Sequence, residues 1–403
     1  MKKRNMTLAA LALAILMAIS TGAAPAAEGN CMGTAGPDKT TLSEPAQELS
    51  DSLYQSGSAL FGKLHKKGKN MTISPYSIGM AMNMVYCGAR GETAEEMAKA
   101  LSLPEWASPK RVMKCAPEMI KAVRTDGSAT IETANSIWTR IKVNDKYVSD
   151  CRKNFDAEVS DKLSKEAVNK WVSKKTHEKI KEIIEDDRGI EVILVNAVYF
   201  NGKWAKEFRK ENTRKRDFTK SDGSKIKVDM MNQRSSTLYY EDDDCQMVTL
   251  PYKGGVSMSV LLPKEGGTVA PTPESVKRLR GKSYMEDVIV LLPKFKAEYS
   301  TDLKDAFESL GMKKAFSADA DFSGIRKGLC ISKVIHKTMV DVNESGTEAA
   351  AATAVTMRLG GAALGPQRQP KIFSADRPFL FVITEDKSGI PLFAGAVESP
   401  EYK

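Results

Sequence analysis

The sequence predicts an α+β protein, and three observations carry that prediction. Apolar residues recur at helical spacing through the first half, as in Leu53, Leu60, Phe61 and Leu64. The second half holds short strand-like runs, of which Ile193 to Phe200 is continuously apolar, as a strand covered on both faces would be. The two kinds of element come in mixed order with no internal repeat, which argues against a doubly wound βαβ sheet.

Taken in order, the chain opens with Lys2, Lys3 and Arg4, then an apolar run from Leu8 to Ile19, then the small residues Ala24-Pro25-Ala26. That pattern reads as a secretory signal peptide over residues 1–26, and its apolar run is shorter than the roughly 20 residues of a membrane span. Residues 27–44 are rich in Gly, Thr, Pro and Ala and read as a flexible linker. Residues 45–403 read as a single domain, with order beginning near Leu49. Ser74 suits a helix cap and Pro75 a first turn. The helix they open, through Ile78 to Cys87, is apolar nearly all round and is therefore expected to be buried, with Gly79 and Ala81 admitting a close neighbour. Just before it, Asn70-Met71-Thr72 is a glycosylation sequon whose use depends on the host.

Glu92 to Leu101 reads as an amphipathic helix, Ile131 to Arg140 as a strand, and Val168 to Ile184 as a helix with Trp171, Val172, Ile180 and Ile183 on its apolar side. Asn201-Gly202 is expected to end the strand that begins at Ile193. Met247–Tyr252 and Val256–Leu262 flank Lys253-Gly254-Gly255 as a hairpin. Val288 to Phe295 is a further strand, Leu303 to Leu310 a helix closed by Gly311, and Phe379–Thr384 with Leu392–Val397 a final strand pair.

Composition narrows the function. The chain has 403 residues, is 42% hydrophobic and 28% charged, and carries a formal charge of +9, or +6 without Lys2, Lys3 and Arg4. Its basic clusters, Lys63–Lys69 and Lys203–Arg216, read as solvated surface, because no nucleic-acid motif accompanies them. The six cysteines show no CxxC spacing, and Cys87 and Cys245 sit in apolar runs as core residues would. Whether the thiols pair is left open. With three histidines, His65, His177 and His336, neither a metal site nor a cofactor is expected. There is no G-x-S-x-G and no H-E-x-x-H, so an enzyme is not expected either.

The informative stretch follows Met339-Val340-Asp341-Val342, a strand by its pattern. Asn343 to Glu348 leads into Ala349-Ala350-Ala351-Ala352 and then Thr353-Ala354-Val355-Thr356. Alanine is the best helix former, but the run passes into β-branched residues that prefer strands. Small side chains also suit a segment that must slide between two existing strands, where each added methylene would meet close packing. From Met357 to Pro370 there are three glycines, two prolines and no apolar period, as in a functional loop.

At this point the residues resemble a family, the serpins, over roughly Leu49 to Pro400. The matching motifs are Asn70 to Ser77, Val195 to Trp204, Leu250 to Gly254, His336-Lys337, Glu344 to Ala350, Asp376 to Phe379 and Pro391 to Gly395. The resemblance implies a metastable fold with three β-sheets, about eight or nine helices and an exposed reactive loop over about residues 344–370. It implies inhibition by suicide: a serine protease cuts the loop, the loop inserts as a new strand in the large sheet, and the acyl-protease is trapped. The implied partner is that protease, bound by a monomer, with a polyanion at Lys110, Arg111 and Lys114 as a weak further partner in a helix that looks short, and no nucleic acid. The implied hinge is Glu344, Gly346, Thr347, Ala349, Ala350, Ala351 and Ala352. Ser74, Ser77, Asn196 and His336 match the polar cluster beneath the sheet (the shutter). Trp204, Lys294 and Glu344 match the place where the loop first enters (the breach). The scissile bond, counted sixteen residues past the hinge glutamate, falls at Gly360-Gly361; Leu359 and Arg358 remain alternatives. A non-inhibitory carrier or chaperone of the same fold is the other reading, and the small-residue hinge argues against it. The signal-peptide pattern at residues 1–26 leads to the expectation of a secreted protein in the extracellular or periplasmic space.

Overall fold

The computed structural model describes residues 42–124, 127–267, 270–347 and 369–402. The helices are α1 (Glu44–Leu64), α2 (Pro75–Tyr86), α3 (Gly91–Ala100), α4 (Pro109–Ala122), α5 (Asp145–Phe155), α6 (Lys165–Lys175), α7 (Pro273–Arg280) and α8 (Lys304–Ser309). The first strands are β1 (Met71–Ile73), β2 (Ala129–Thr139), β3 (Glu158–Ser160), β4 (Val192–Lys203), β5 (Arg214–Thr219), β6 (Lys225–Glu241), β7 (Cys245–Tyr252) and β8 (Val256–Pro263). They are followed by β9 (Tyr284–Pro293), β10 (Phe295–Asp302), β11 (Lys333–Asn343), β12 (Gly346–Thr347), β13 (Lys371–Ser374), β14 (Phe379–Glu385) and β15 (Pro391–Val397).

Hydrogen bonds join these strands into two sheets among the described residues, where the resemblance implied three. One has six strands in the order β10-β11-β12-β4-β2-β3, and the other has nine. The merger has a local cause. Strand β6 is 17 residues long. It pairs with β5 over Lys225–Met230, with β9 over Met230–Tyr239 and with β7 over Leu238–Glu241, so two sheets share one strand.

Helix α2 lies inside the molecule, and every one of its residues is buried. Ser74 caps it, accepting from the Ser77 amide, and Pro75 occupies the first turn where its missing N–H is not needed. It packs on α1, α4, β2, β4 and β15. Gly79 permits that depth: a Cβ there would stand 2.1 Å from Leu53 Cδ2.

Three expectations from sequence are corrected. Helix α6 ends at Lys175, not near Ile184. His177 and Glu178 take positive φ, and the Thr176 hydroxyl binds Val172 O and Ile180 N, turning the chain. Ile180, Ile183 and Ile184 are buried all the same, because the Asn169 side chain holds the backbone of Ile183 and Ile184. Helix α4, around Lys110 and Lys114, looked short and has 14 residues. Order starts before Leu49, since α1 begins at Glu44.

The sequon asparagine is structural. Asn70 Oδ1 accepts from the amides of Glu398 and Ser399, and its Nδ2 donates to Ser399 O at 2.6 Å. A glycan on that nitrogen would replace one of its two hydrogens and would have to fit beside the Ser399 carbonyl. Cys87, Cys115, Cys151, Cys245 and Cys330 are free thiols. Burial pushes the Cys87 thiol up, and those of Cys151 and Cys245 up to about 12, which leaves them inert as nucleophiles.

Candidate functional site: the seam between β4 and β11

Strands β4 and β11 lie side by side and parallel, from Lys333↔Ile193 to Met339↔Tyr199. At their upper ends they part, and β12 sits between them. Gly346 pairs with Asn343 on one side and Lys203 on the other; Thr347 pairs with Val342 and Gly202. Strand β4 runs on through Asn201-Gly202 instead of ending there, because Thr130 and Ala129 of β2 pair with these residues on one edge and β12 pairs with Gly202 and Lys203 on the other. Gly346 is required at this point. Its φ is +150°, and a Cβ would lie 2.1 Å from Gly202 O. Thr347 is fully buried, and its hydroxyl meets Tyr252 Oη at 2.7 Å.

The turn that feeds β12 is held on several sides. Lys294 Nζ lies 3.1 Å from Glu344 Oε2, with the carboxylate side chain only 8% exposed. Thr213 Oγ1 donates to Glu344 Oε1 at 2.9 Å. Burial alone would raise the Glu344 carboxyl, but hydrogen bonds from the backbone, Lys294 and Thr213 outweigh it and hold the group below the usual carboxylate range. Trp204 is fully buried, stacks on Tyr252 with ring centroids 4.1 Å apart, and donates its indole N–H to Asn343 O at 2.9 Å. The Phe208 and Trp204 amides donate to the carbonyls of Glu344 and Ser345. Lys294→Met is expected to lower resting stability by about 2 kcal/mol, because the buried carboxylate would keep only its neutral donors. Thermal denaturation of the variant checks this.

Farther down, a polar cluster lies across the same seam. His336 and Asn196 are register partners on β11 and β4. The Ser74 amide donates to His336 Nε2 at 3.1 Å, so the ring is protonated on Nδ1, which donates to Asn196 Oδ1. Asn196 Nδ2 donates to Ser77 Oγ and to Asn135 Oδ1, and Ser77 Oγ also donates to Asn135. Ser74 Oγ donates to Leu392 O at 2.6 Å. Burial pushes the His336 imidazole down to about 3, so it is neutral at ordinary pH.

The structure thus brings Glu344, Gly346, Thr347, Trp204 and Lys294 together at the top of the seam, and Ser74, Ser77, Asn196 and His336 across its middle. Ala349, Ala350, Ala351, Ala352, Arg358, Leu359, Gly360 and Gly361 lie outside the described residues. Sequence reading missed Asn135, Thr213, Tyr252 and Asn343. Asn135 carried a signal, being a polar residue inside an otherwise apolar strand; the other three become recognisable only by what they touch. Lys110, Arg111 and Lys114 are exposed on α4, with Arg111 over the Trp106 ring at 5.2 Å. Among the described residues no cluster of His, Cys, Asp and Glu could hold a metal ion.

Comparison with known proteins agrees with this geometry. The family model described as serpin (serine protease inhibitor) matches residues 52–400. The chain is a serpin. It is 37% identical over 356 residues to an uncharacterized serpin-like protein of Methanosarcina mazei, covering 83% of this chain and 82% of that one. To intracellular coagulation inhibitor 2 of Tachypleus tridentatus it is 32% identical, covering 87% and 91%. The crystal structure of the thermophilic serpin tengpin in its native state matches with a TM-score of 0.78 at 29% identity, covering 90% of this chain and 96% of that one. The serpins are generally protease inhibitors and not enzymes, and the fold of this chain, eight α-helices with two mixed sheets among the described residues, is the α+β serpin fold.

Proposed function

We propose that this serpin is a secreted suicide inhibitor of a serine protease. The observation that carries the reading is the position of β12. The first hinge residues already occupy a slot between β4 and β11, and directly below them the two strands touch through a parallel ladder. A cut loop continuing from Thr347 would unzip that ladder and replace it with antiparallel pairing on both sides. Each displaced residue pair would gain hydrogen bonds and burial that the uncut loop cannot reach.

In this reading the protease attacks near Gly360-Gly361, with Leu359 and Arg358 as alternatives. Its acyl link is carried away by insertion before water releases it. The basic residues at 2–4 and the apolar run after them support secretion. The exposed Lys110, Arg111 and Lys114 would be the first surface to test for a polyanion.

The test is to incubate the mature protein with a panel of serine proteases. Denaturing gels and mass spectrometry of the released peptide are the readouts. A covalent band is expected with at least one protease, and the peptide's first residue names the scissile bond. Loop cleavage is also expected to raise the thermal midpoint well above that of the uncut protein. Cleavage with no covalent band and no thermal gain, for every protease, would favour the carrier or chaperone reading.

A further inference from the structure

The segment after β15 returns to the top of the seam. The Lys296 amide on β10 donates to Glu401 O at 2.9 Å, which fixes the chain beside the sheet. The next residue, Tyr402, lays its ring over Lys294 Nζ at 4.3 Å. This is the same ammonium that meets Glu344 at 3.1 Å. Lys294 is therefore held from two sides, by a carboxylate and by an aromatic face. The Tyr402 phenol lies beside Asp341 and Asn343, both at the upper end of β11, and burial together with the Asp341 carboxylate pushes it above the usual phenol range. There a carboxylate can accept from the phenol O–H and an amide nitrogen can donate to the phenol oxygen. Asn343 in turn accepts the Ser345 amide on its Oδ1 at 3.0 Å and the Trp204 indole on its carbonyl, and it pairs with Gly346.

We propose that Tyr402 is a positioning residue that holds the turn Asn343–Gly346 and thereby restrains entry of the reactive loop into the sheet. It acts by two routes, through Lys294 onto Glu344 and through Asn343 onto Ser345. Both routes end on the two residues that must stay in place while β12 is only a stub. Once the inserted strand runs the length of the seam, its own ladder fixes the turn, and the support from Tyr402 becomes redundant. The restraint therefore acts on the uncut protein more than on the cut one. Tyr402 is not conspicuous in the sequence, because it lies beyond the last strand in a short polar segment.

The inference rests on the reading of this protein as a loop-inserting inhibitor. Its test uses the full chain carrying Tyr402→Ala, beside Tyr402→Phe and the unsubstituted protein. The rate of spontaneous conversion to a heat-resistant, loop-inserted form is followed on native gels at a fixed temperature. Tyr402→Ala is expected to convert at least about threefold faster, the scale set by one cation–π contact and the polar surroundings of the phenol. Tyr402→Phe keeps the ring over Lys294 and is expected to fall between the two; if the alanine variant does not fold, a gain of about twofold in the phenylalanine variant serves instead. The denaturant midpoint of the loop-cleaved form is expected to move less than that of the uncut form. Conversion rates below those thresholds, or equal destabilisation of cut and uncut forms, would overturn the proposal in favour of a merely structural tyrosine. A failure of the underlying function is seen separately, since unsubstituted protein would then gain no heat resistance on cleavage.

Discussion

Thr347→Arg is expected to turn the protein from an inhibitor into a substrate. Thr347 is fully buried between Gly202 and Val342, and its hydroxyl is spent on Tyr252. The nearest carboxylate identified at the top of the seam, Glu344, is already paired with Lys294. A guanidinium at this site would enter without a partner, and burying an unpaired charge is opposed by several kcal/mol. The first step of insertion would be blocked while the loop beyond it stayed open to cleavage. With a protease that the unsubstituted protein traps, the covalent fraction is expected to fall by at least about tenfold, the equivalent of 1.4 kcal/mol in the competition between insertion and hydrolysis. Cleavage of the variant should add little to its thermal midpoint. Thr347→Ser keeps the hydroxyl and should behave nearly as the original. A Thr347→Arg protein that still forms the covalent band in full would refute the assignment of this slot as the entry point.

Acid is expected to weaken the resting seam through His336. In the folded protein the ring is buried and its pKa is pushed down to about 3, whereas an unfolded histidine titrates near the ordinary value of 6.5. The unfolded chain therefore binds the extra proton first as pH falls. The contribution of the neutral ring to stability is whole above about pH 6.5 and declines as pH drops toward 3, by about 1.4 kcal/mol for each unit inside that window. Protonation would also remove the acceptor for the Ser74 amide, on the strand partner of Asn196. Thermal midpoints measured between pH 7 and pH 4 should fall steadily. In His336→Gln the midpoint at pH 7 should be lower and the slope with pH flatter. An unchanged slope in that variant would assign the acid sensitivity to other groups.

The two effects draw on residues of different legibility. Helix α2 could be read directly, because Ser74, Pro75 and an unbroken apolar run dictate a capped, buried helix whatever surrounds it. The strands near Ile193 and Phe379 were legible for the same reason: a continuous apolar run demands cover on both faces. The end of β4 was not legible. Asn201-Gly202 has the local chemistry of a stop, and the strand continues because β2 on one edge and β12, over 140 residues later, on the other offer hydrogen-bond partners. The end of α6 was misjudged in the opposite sense. The isoleucines after Lys175 keep a helical period, but Asn169 and Thr176 supply side-chain bonds that compete with the helix ladder.

What the sequence by itself determined is the inventory: an α+β chain with a buried first-half helix, a strand-rich second half, and a small-residue hinge between a strand and a glycine-rich loop. Local patterning carries that much, since periodicity, caps and side-chain size act over a few residues. The tertiary structure alone decided that the hinge starts inside the sheet, that Asn135 and Tyr252 join the cluster and the slot, and that Tyr402 closes over Lys294. Those contacts pair residues distant in the chain. Their energies come from burial and from hydrogen bonds whose partners no local pattern announces.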